Sequence, residues 1–149
     1  MMNPFKRTYP VIWANLDPNR HMRHTAYNDY AAQIRLEFFR ENGLDMDGMM
    51  KIGIGPILFR EDTHFIREVH MNENIDVTLQ ITRLRKNGTK WSFRHQIFKE
   101  NGDLACDIFV DGAWLDLNKR KVTVPPTQLA EVLINGPRTE DFEWIPDKV

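Results

Sequence analysis

Two Asn-Gly pairs, Asn87-Gly88 and Asn101-Gly102, separate runs of alternating residues and leave the second half of this chain few ways to fold. Ile75, Val77, Leu79 and Ile81 alternate with Asp76, Thr78, Gln80 and Thr82, the pattern of a half-buried strand. After the first pair, Trp91, Phe93, His95 and Ile97 share one face, and Lys90, Ser92, Arg94 and Gln96 the other. After the second, Leu104, Cys106, Ile108, Val110 and Trp114 share a phase. Asn-Gly supplies the positive φ that a tight hairpin loop requires. Three strands joined this way form an antiparallel meander. The phase slips at Arg83-Leu84, which predicts a bulge.

Ahead of the meander lies one strongly apolar helix. Tyr27, Tyr30, Ala31, Ile34 and Phe38 fall at helical spacing, and Ala26, Leu36 and Phe39 widen the stripe, so burial on more than one side is expected. Thr25 is the expected N-cap, and Asn42-Gly43 stops the helix after Glu41. Lys6 to Trp13 reads as a first strand, limited to an edge by Pro10. Ile57 to Arg67 reads as a strand without clean alternation, and Thr127 to Leu133 as a short helix. Leu44 to Ile52 reads as a short helix or a connection, and Phe142, Trp144 and Ile145 dock the tail. An apolar helix followed by a meander predicts an α+β class in which the sheet wraps that helix, as one domain over residues 1–149.

The chemistry-bearing residues concentrate between the first strand and the helix. Trp13-Ala14-Asn15-Leu16-Asp17-Pro18-Asn19-Arg20-His21-Met22-Arg23-His24-Thr25-Ala26-Tyr27 holds one carboxylate, two histidines and two arginines. Two readings of Asp17 stand at this point. Asp-Pro-Asn is a common turn, in which Asp17 hydrogen-bonds its own backbone. Alternatively the carboxylate faces the first turn of the helix, whose unpaired N–H groups and positive dipole end suit a developing oxyanion.

That stretch resembles the signature of the hotdog-fold acyl-CoA thioesterases of the 4-hydroxybenzoyl-CoA thioesterase type. The family reads as aromatic, Ala or Glu, Asp, any residue, Asp, two residues, Gly-His-Val-Asn-Asn, two residues, Tyr. Trp13 to Asp17 follows the first part in register, with Asn15 in place of the first acid. His21 falls on the family histidine, Tyr27 on its tyrosine, and Asp17 on its catalytic acid. Arg20 stands in place of the glycine, and Arg23 and His24 in place of the two asparagines.

The resemblance implies a hotdog fold and acyl-CoA thioester hydrolysis without a cofactor, coenzyme A being part of the substrate. Asp17 is then general base or nucleophile, and the backbone N–H groups at His24 and Thr25 bind the oxyanion. His21, Arg23, Tyr27, Glu61 and His64 are expected substrate contacts, the last two because the family's second strand lies beside its site. A homodimer, or a tetramer of paired dimers, is expected. The alternatives are a hotdog protein that binds an acyl group without hydrolysing it, and a hotdog hydratase, whose signature is not seen here.

Composition narrows the partners. Hydrophobic residues make up 42% and charged residues 28%, and the net charge is −1, so there is no basic excess to follow a nucleic-acid backbone. Cys106 is the single cysteine, which excludes an internal disulfide. No run approaches a membrane span, and the leading segment from Met1 lacks an apolar signal core, so cytoplasm is the expected location. His95 lies on an apolar phase as a core histidine, and no metal is assigned.

Overall fold

The structure is a computed structural model and describes residues 3–147. Met1, Met2 and Val149, which the sequence reading placed in the leading segment and the tail, lie outside the described residues. The strands are β1 (Phe5–Pro10), β2 (Ile54–Phe65), β3 (Asn74–Leu84), β4 (Lys90–Phe98), β5 (Leu104–Asp116), β6 (Lys121–Val122) and β7 (Arg138–Trp144). The helices are α1 (His24–Glu41), α2 (Met46–Ile52) and α3 (Thr127–Ile134).

The meander forms as the alternation requires. β3, β4 and β5 pair antiparallel in sequence order, and Gly88 and Gly102 take φ of 81° and 94° in the two turns. The inward phase is closed to solvent: Ile75, Val77, Leu79, Ile81, Phe93, His95, Ile97 and Ile108 are all 0% exposed. The slip in β3 is real, with the register to β4 shifting between Ile81 and Arg83.

The sheet order is β1-β3-β4-β5-β2, with β6 on β5 and β7 on β3. Two expectations need correction. The sheet is not wholly antiparallel, because β7 runs parallel to β3. Of the tail residues expected to dock, Phe142 and Trp144 are part of that strand and stack edge to face, and Ile145 follows it with its N–H bonded to Leu84 O at 2.9 Å. Nor does one helix describe the α layer: α1 has 18 residues and is joined by α2 of 7 and α3 of 8. The α+β class and the curled, mainly antiparallel sheet of the hotdog arrangement stand.

The first strand ends earlier than expected. β1 stops at Pro10, Val11 enters the core, and Trp13 to Asn15 form a short 3-10 turn with Trp13 81% exposed. α1 buries Ala26, Tyr27, Ala31, Ile34, Phe38 and Phe39 and packs against β1, β3 and β5. Its stripe is worth about 1.5–3 kcal/mol for each large apolar side chain taken from water.

Candidate active site

The loop before α1 is a small hairpin. Leu16 and Met22 form an antiparallel bridge, Asp17 N donates to His21 O at 2.8 Å, and Arg20 N donates to Asp17 O at 3.0 Å. Arg20 closes the turn with φ 66°, in the left-handed region that glycine favours. This is the position where the resembled family carries glycine, and here a side chain occupies a conformation that disfavours it.

Asp17 serves this turn with one oxygen only. Its Oδ1 accepts from Asn19 N at 2.8 Å and His21 N at 3.1 Å. Among the described residues its Oδ2 takes no hydrogen bond, and the carboxylate forms no ion pair. Both readings of Asp17 are therefore compatible in one side chain. It folds the turn through Oδ1, leaves Oδ2 without a hydrogen bond, and lines a cleft of about 360 Å³ with His21, His24 and Tyr27.

The opposite wall comes from the end of β2 and the residues after it: Phe65, Ile66, Arg67 and Glu68. The phenyl ring of Phe65 meets the Tyr27 ring edge to face at 5.2 Å. Burial pushes the Tyr27 phenol up to about 12, so at working pH it keeps its proton and can donate it. The sequence placed this second strand beside the site, but at Glu61 and His64 rather than at Phe65 to Glu68. The one signal for the latter stretch was Phe65-Ile66, an apolar pair after a polar strand; both side chains remain more than half exposed.

The start of α1 opens on the same cleft through His24. Arg23, not Thr25, is the N-cap residue, and no side chain caps this end. The expected Thr25 cap fails because its hydroxyl accepts a hydrogen bond from the Arg23 guanidinium. Arg23 folds back over its own loop, donating to Ala14 O and Asn15 Oδ1 at 3.5 Å each and pairing with Asp29 at 3.8 Å. Asn15 donates to the Tyr30 hydroxyl at 2.8 Å, tying the 3-10 turn to α1. The first turn of α1 is thus left without a side-chain cap, and its first residue, His24, lines the cleft.

Asp17, His21, His24 and Tyr27 are brought together, while Arg23, Thr25, Glu61 and His64 do not line the cleft. Thr63 Oγ1 donates to Asn28 Oδ1 at 2.9 Å, which sets Thr63 toward α1. His64 points to the other face of β2, paired with Asp62 at 3.3 Å and edge-on to Phe109. Glu61 is exposed on β2, the strand at the end of the sheet order.

His95 lies outside the cleft. Its Nδ1 donates to Thr78 O at 3.0 Å, and Nε2 accepts from Arg35 at 3.0 Å. Burial first, and the Arg35 charge second, hold its pKa down to about 3.

Comparison with known proteins agrees with this architecture. The profile of the Thioesterase-like superfamily matches residues 11–133, and the chain belongs to that superfamily. A hypothetical protein from Staphylococcus aureus, solved in complex with CoA, superposes with a TM-score of 0.81 at 23% identity, over 92% of this chain and 88% of that one. A 1,4-dihydroxy-2-naphthoyl-CoA thioesterase from Synechocystis gives 0.80 at 15% identity, over 89% and 97%. A DHNA-CoA thioesterase from Staphylococcus aureus gives 0.76 at 17% identity, over 83% and 81%. At these identities the likeness is one of fold. No curated protein matches by sequence. Among the described residues, no helix is long and apolar enough to cross a membrane.

Proposed function

We propose that this chain hydrolyses acyl-CoA thioesters in the cleft between the Asp17 hairpin and the end of β2. The observation that carries the reading is that Asp17, with one carboxylate oxygen free of hydrogen bonds, and His24, at the uncapped start of α1, line one cleft. A thioester carbonyl seated there meets the N–H donor of His24, where the uncapped start of α1 reaches the cleft, and that donor stabilises negative charge on its oxygen. Asp17 then takes a proton from water as the water oxygen bonds to the carbonyl carbon. When the C–S bond breaks, the sulfur leaves as coenzyme A thiolate and recovers a proton. In the nucleophilic variant Asp17 bonds to the carbonyl carbon, the thiolate leaves, and water cleaves the resulting anhydride. Tyr27 and His21 contact the acyl group or thioester from the same wall.

Arg67 lines the cleft and Arg20 stands exposed at the hairpin tip, so these cations suit the phosphates of coenzyme A. Arg23 acts by holding the loop onto the helix start. The scheme needs no cofactor, and a single domain acting in the cytoplasm suffices for it. The free outer edge of β2, 12 residues long, is the surface through which a second copy would extend the sheet. Glu61 and His64 lie on that strand and reach substrate only across such a homodimer, or within a tetramer built from it. The non-hydrolysing reading, in which Asp17 serves only its turn, is separated by one experiment. Asp17→Asn should lose hydrolysis of an acyl-CoA panel and keep binding.

A further inference from the structure

His21 and His70 form an isolated antiparallel bridge. Directly opposed residues in such a pair project to one side, with Cβ atoms about 4.5–5.5 Å apart. The two imidazoles accordingly meet at 4.9 Å between centroids. Glu68 precedes His70 by two positions, and extended backbone returns its side chain to the same face. Its Oε2 lies 3.2 Å from His21 Nε2, and one donor atom from each of the three residues lies within 4.8 Å of the others. The patch is held by backbone bonds: Met22 N donates to Val69 O at 2.7 Å, and His70 N to Glu73 Oε2 at 2.7 Å.

We propose that His21, Glu68 and His70 form a three-ligand site for a divalent transition-metal ion, zinc by its donor set, at the lip of the Asp17 cleft, and that the bound ion lowers thioester hydrolysis. Two imidazoles and one carboxylate with a water position is a donor set that zinc accepts. Zinc–ligand bonds of about 2.0–2.2 Å place tetrahedral donors about 3.3 Å apart. The His21–Glu68 separation of 3.2 Å already meets this, and rotation of the exposed Glu68 and His70 side chains closes the remaining edges. Residues 21 and 70 are far apart in the chain, so sequence spacing gave no metal site; the bridge creates it. His21 and Glu68 also line the cleft, so the ion takes space from the substrate and sets two positive charges against Asp17. Only this inhibitory half rests on the hydrolase reading.

The test is calorimetric titration of the untagged, metal-free chain with zinc chloride, beside hydrolysis read as coenzyme A by chromatography after a chelator quench. The sole cysteine is buried and does not compete. One ion per chain is expected. Losing even a group that supports a ligand typically weakens metal binding about 10–100-fold, so His70→Ala and Glu68→Gln should each weaken it at least tenfold. His64→Ala, on the other sheet face, should not. Zinc should suppress hydrolysis by wild type and spare His70→Ala, whose metal-free rate stays that of wild type. Absence of binding, or binding indifferent to His70→Ala and Glu68→Gln, overturns the site. Equal inhibition of wild type and His70→Ala overturns the inhibitory claim. A chain inactive on every acyl-CoA sinks the hydrolase reading and the inhibitory claim with it, and the titration still decides the site.

Discussion

Asp17→Asn and Asp17→Ala, measured together, separate the two jobs that one side chain holds. Asparagine keeps an oxygen where Oδ1 accepts from Asn19 N at 2.8 Å and His21 N at 3.1 Å, so the turn survives. What it loses is the charge and the proton-accepting Oδ2. General base catalysis contributes about 10²–10⁴ in rate, and kcat should fall by that factor, equivalent to about 3–5 kcal/mol of barrier. Stability should change by less than about 1 kcal/mol, because charged acceptors are replaced by neutral ones at a half-buried turn. Alanine removes both bonds. At about 1 kcal/mol net for each, the loss is about 2 kcal/mol, or roughly 4–8 °C in Tm for a chain of this size. Coenzyme A release and thermal unfolding read the two effects. Wild-type hydrolysis in Asp17→Asn refutes the catalytic assignment. Equal losses of stability in both variants refute the division of labour between the two oxygens.

Arg20→Gly relieves a left-handed residue at φ 66°. A left-handed non-glycine residue costs about 1–2 kcal/mol, and glycine's added freedom in the unfolded chain returns part of that, so chemical denaturation should show a gain of about 0.5–1 kcal/mol. His95 is neutral when folded, with a pKa near 3, and below about pH 6.5 the unfolded chain takes a proton that the folded chain refuses. Stability should therefore decline by up to about 1.4 kcal/mol per pH unit as pH falls from 6.5 towards 3. His95→Gln, which retains a donor for Thr78 O and an acceptor for Arg35, should flatten that slope in urea titrations; an unchanged slope would remove His95 from the account. Light scattering should report a dimer or tetramer, and a charge-reversing pair on the β2 edge should lower its mass; a monomeric wild type counts against the shared site.

Local pattern sufficed wherever one residue's neighbours fixed its environment. The alternation of β3, β4 and β5 and the two Asn-Gly turns were legible because period and turn chemistry act within a few positions. β7 was not, because Arg138 to Trp144 mixes charges with aromatics and becomes a strand only by pairing with β3 from 50 or more residues away. The N-cap shows the same limit. Thr25 has the right chemistry, but its hydroxyl partners Arg23, and the N-cap falls two residues earlier, at Arg23. In the site, Asp17, His21, His24 and Tyr27 were legible because hairpin and helix start are contiguous in sequence. The second strand was expected beside the site, but Phe65, Arg67 and Glu68 were not singled out, since which part of β2 reaches the cleft depends on its register against β5.

The resembled family's glycine and two asparagines are replaced here by Arg20, Arg23 and His24, and the geometry of the loop accounts for how the hairpin forms with these residues. Its shape is set mainly by main-chain bonds: Asp17 N to His21 O at 2.8 Å, Arg23 N to Asn15 O at 2.7 Å, Met22 N to Val69 O at 2.7 Å and Val11 N to Glu73 O at 2.9 Å. Those bonds tie the hairpin, the 3-10 turn and the connection between β2 and β3 into one unit without using the substituted side chains as acceptors. Buried or half-buried backbone groups must be paired whatever side chain they carry, so this frame tolerates arginine where glycine is favoured at a cost of about 1–2 kcal/mol. Of the exchanged side chains, Arg23 adds bonds across the loop, His24 lines the cleft, and Arg20 adds an exposed charge at the hairpin tip. The positions that matter to the backbone, Asp17 with its two accepted N–H groups and Tyr27 buried against Phe65, are those at which the sequence follows the family.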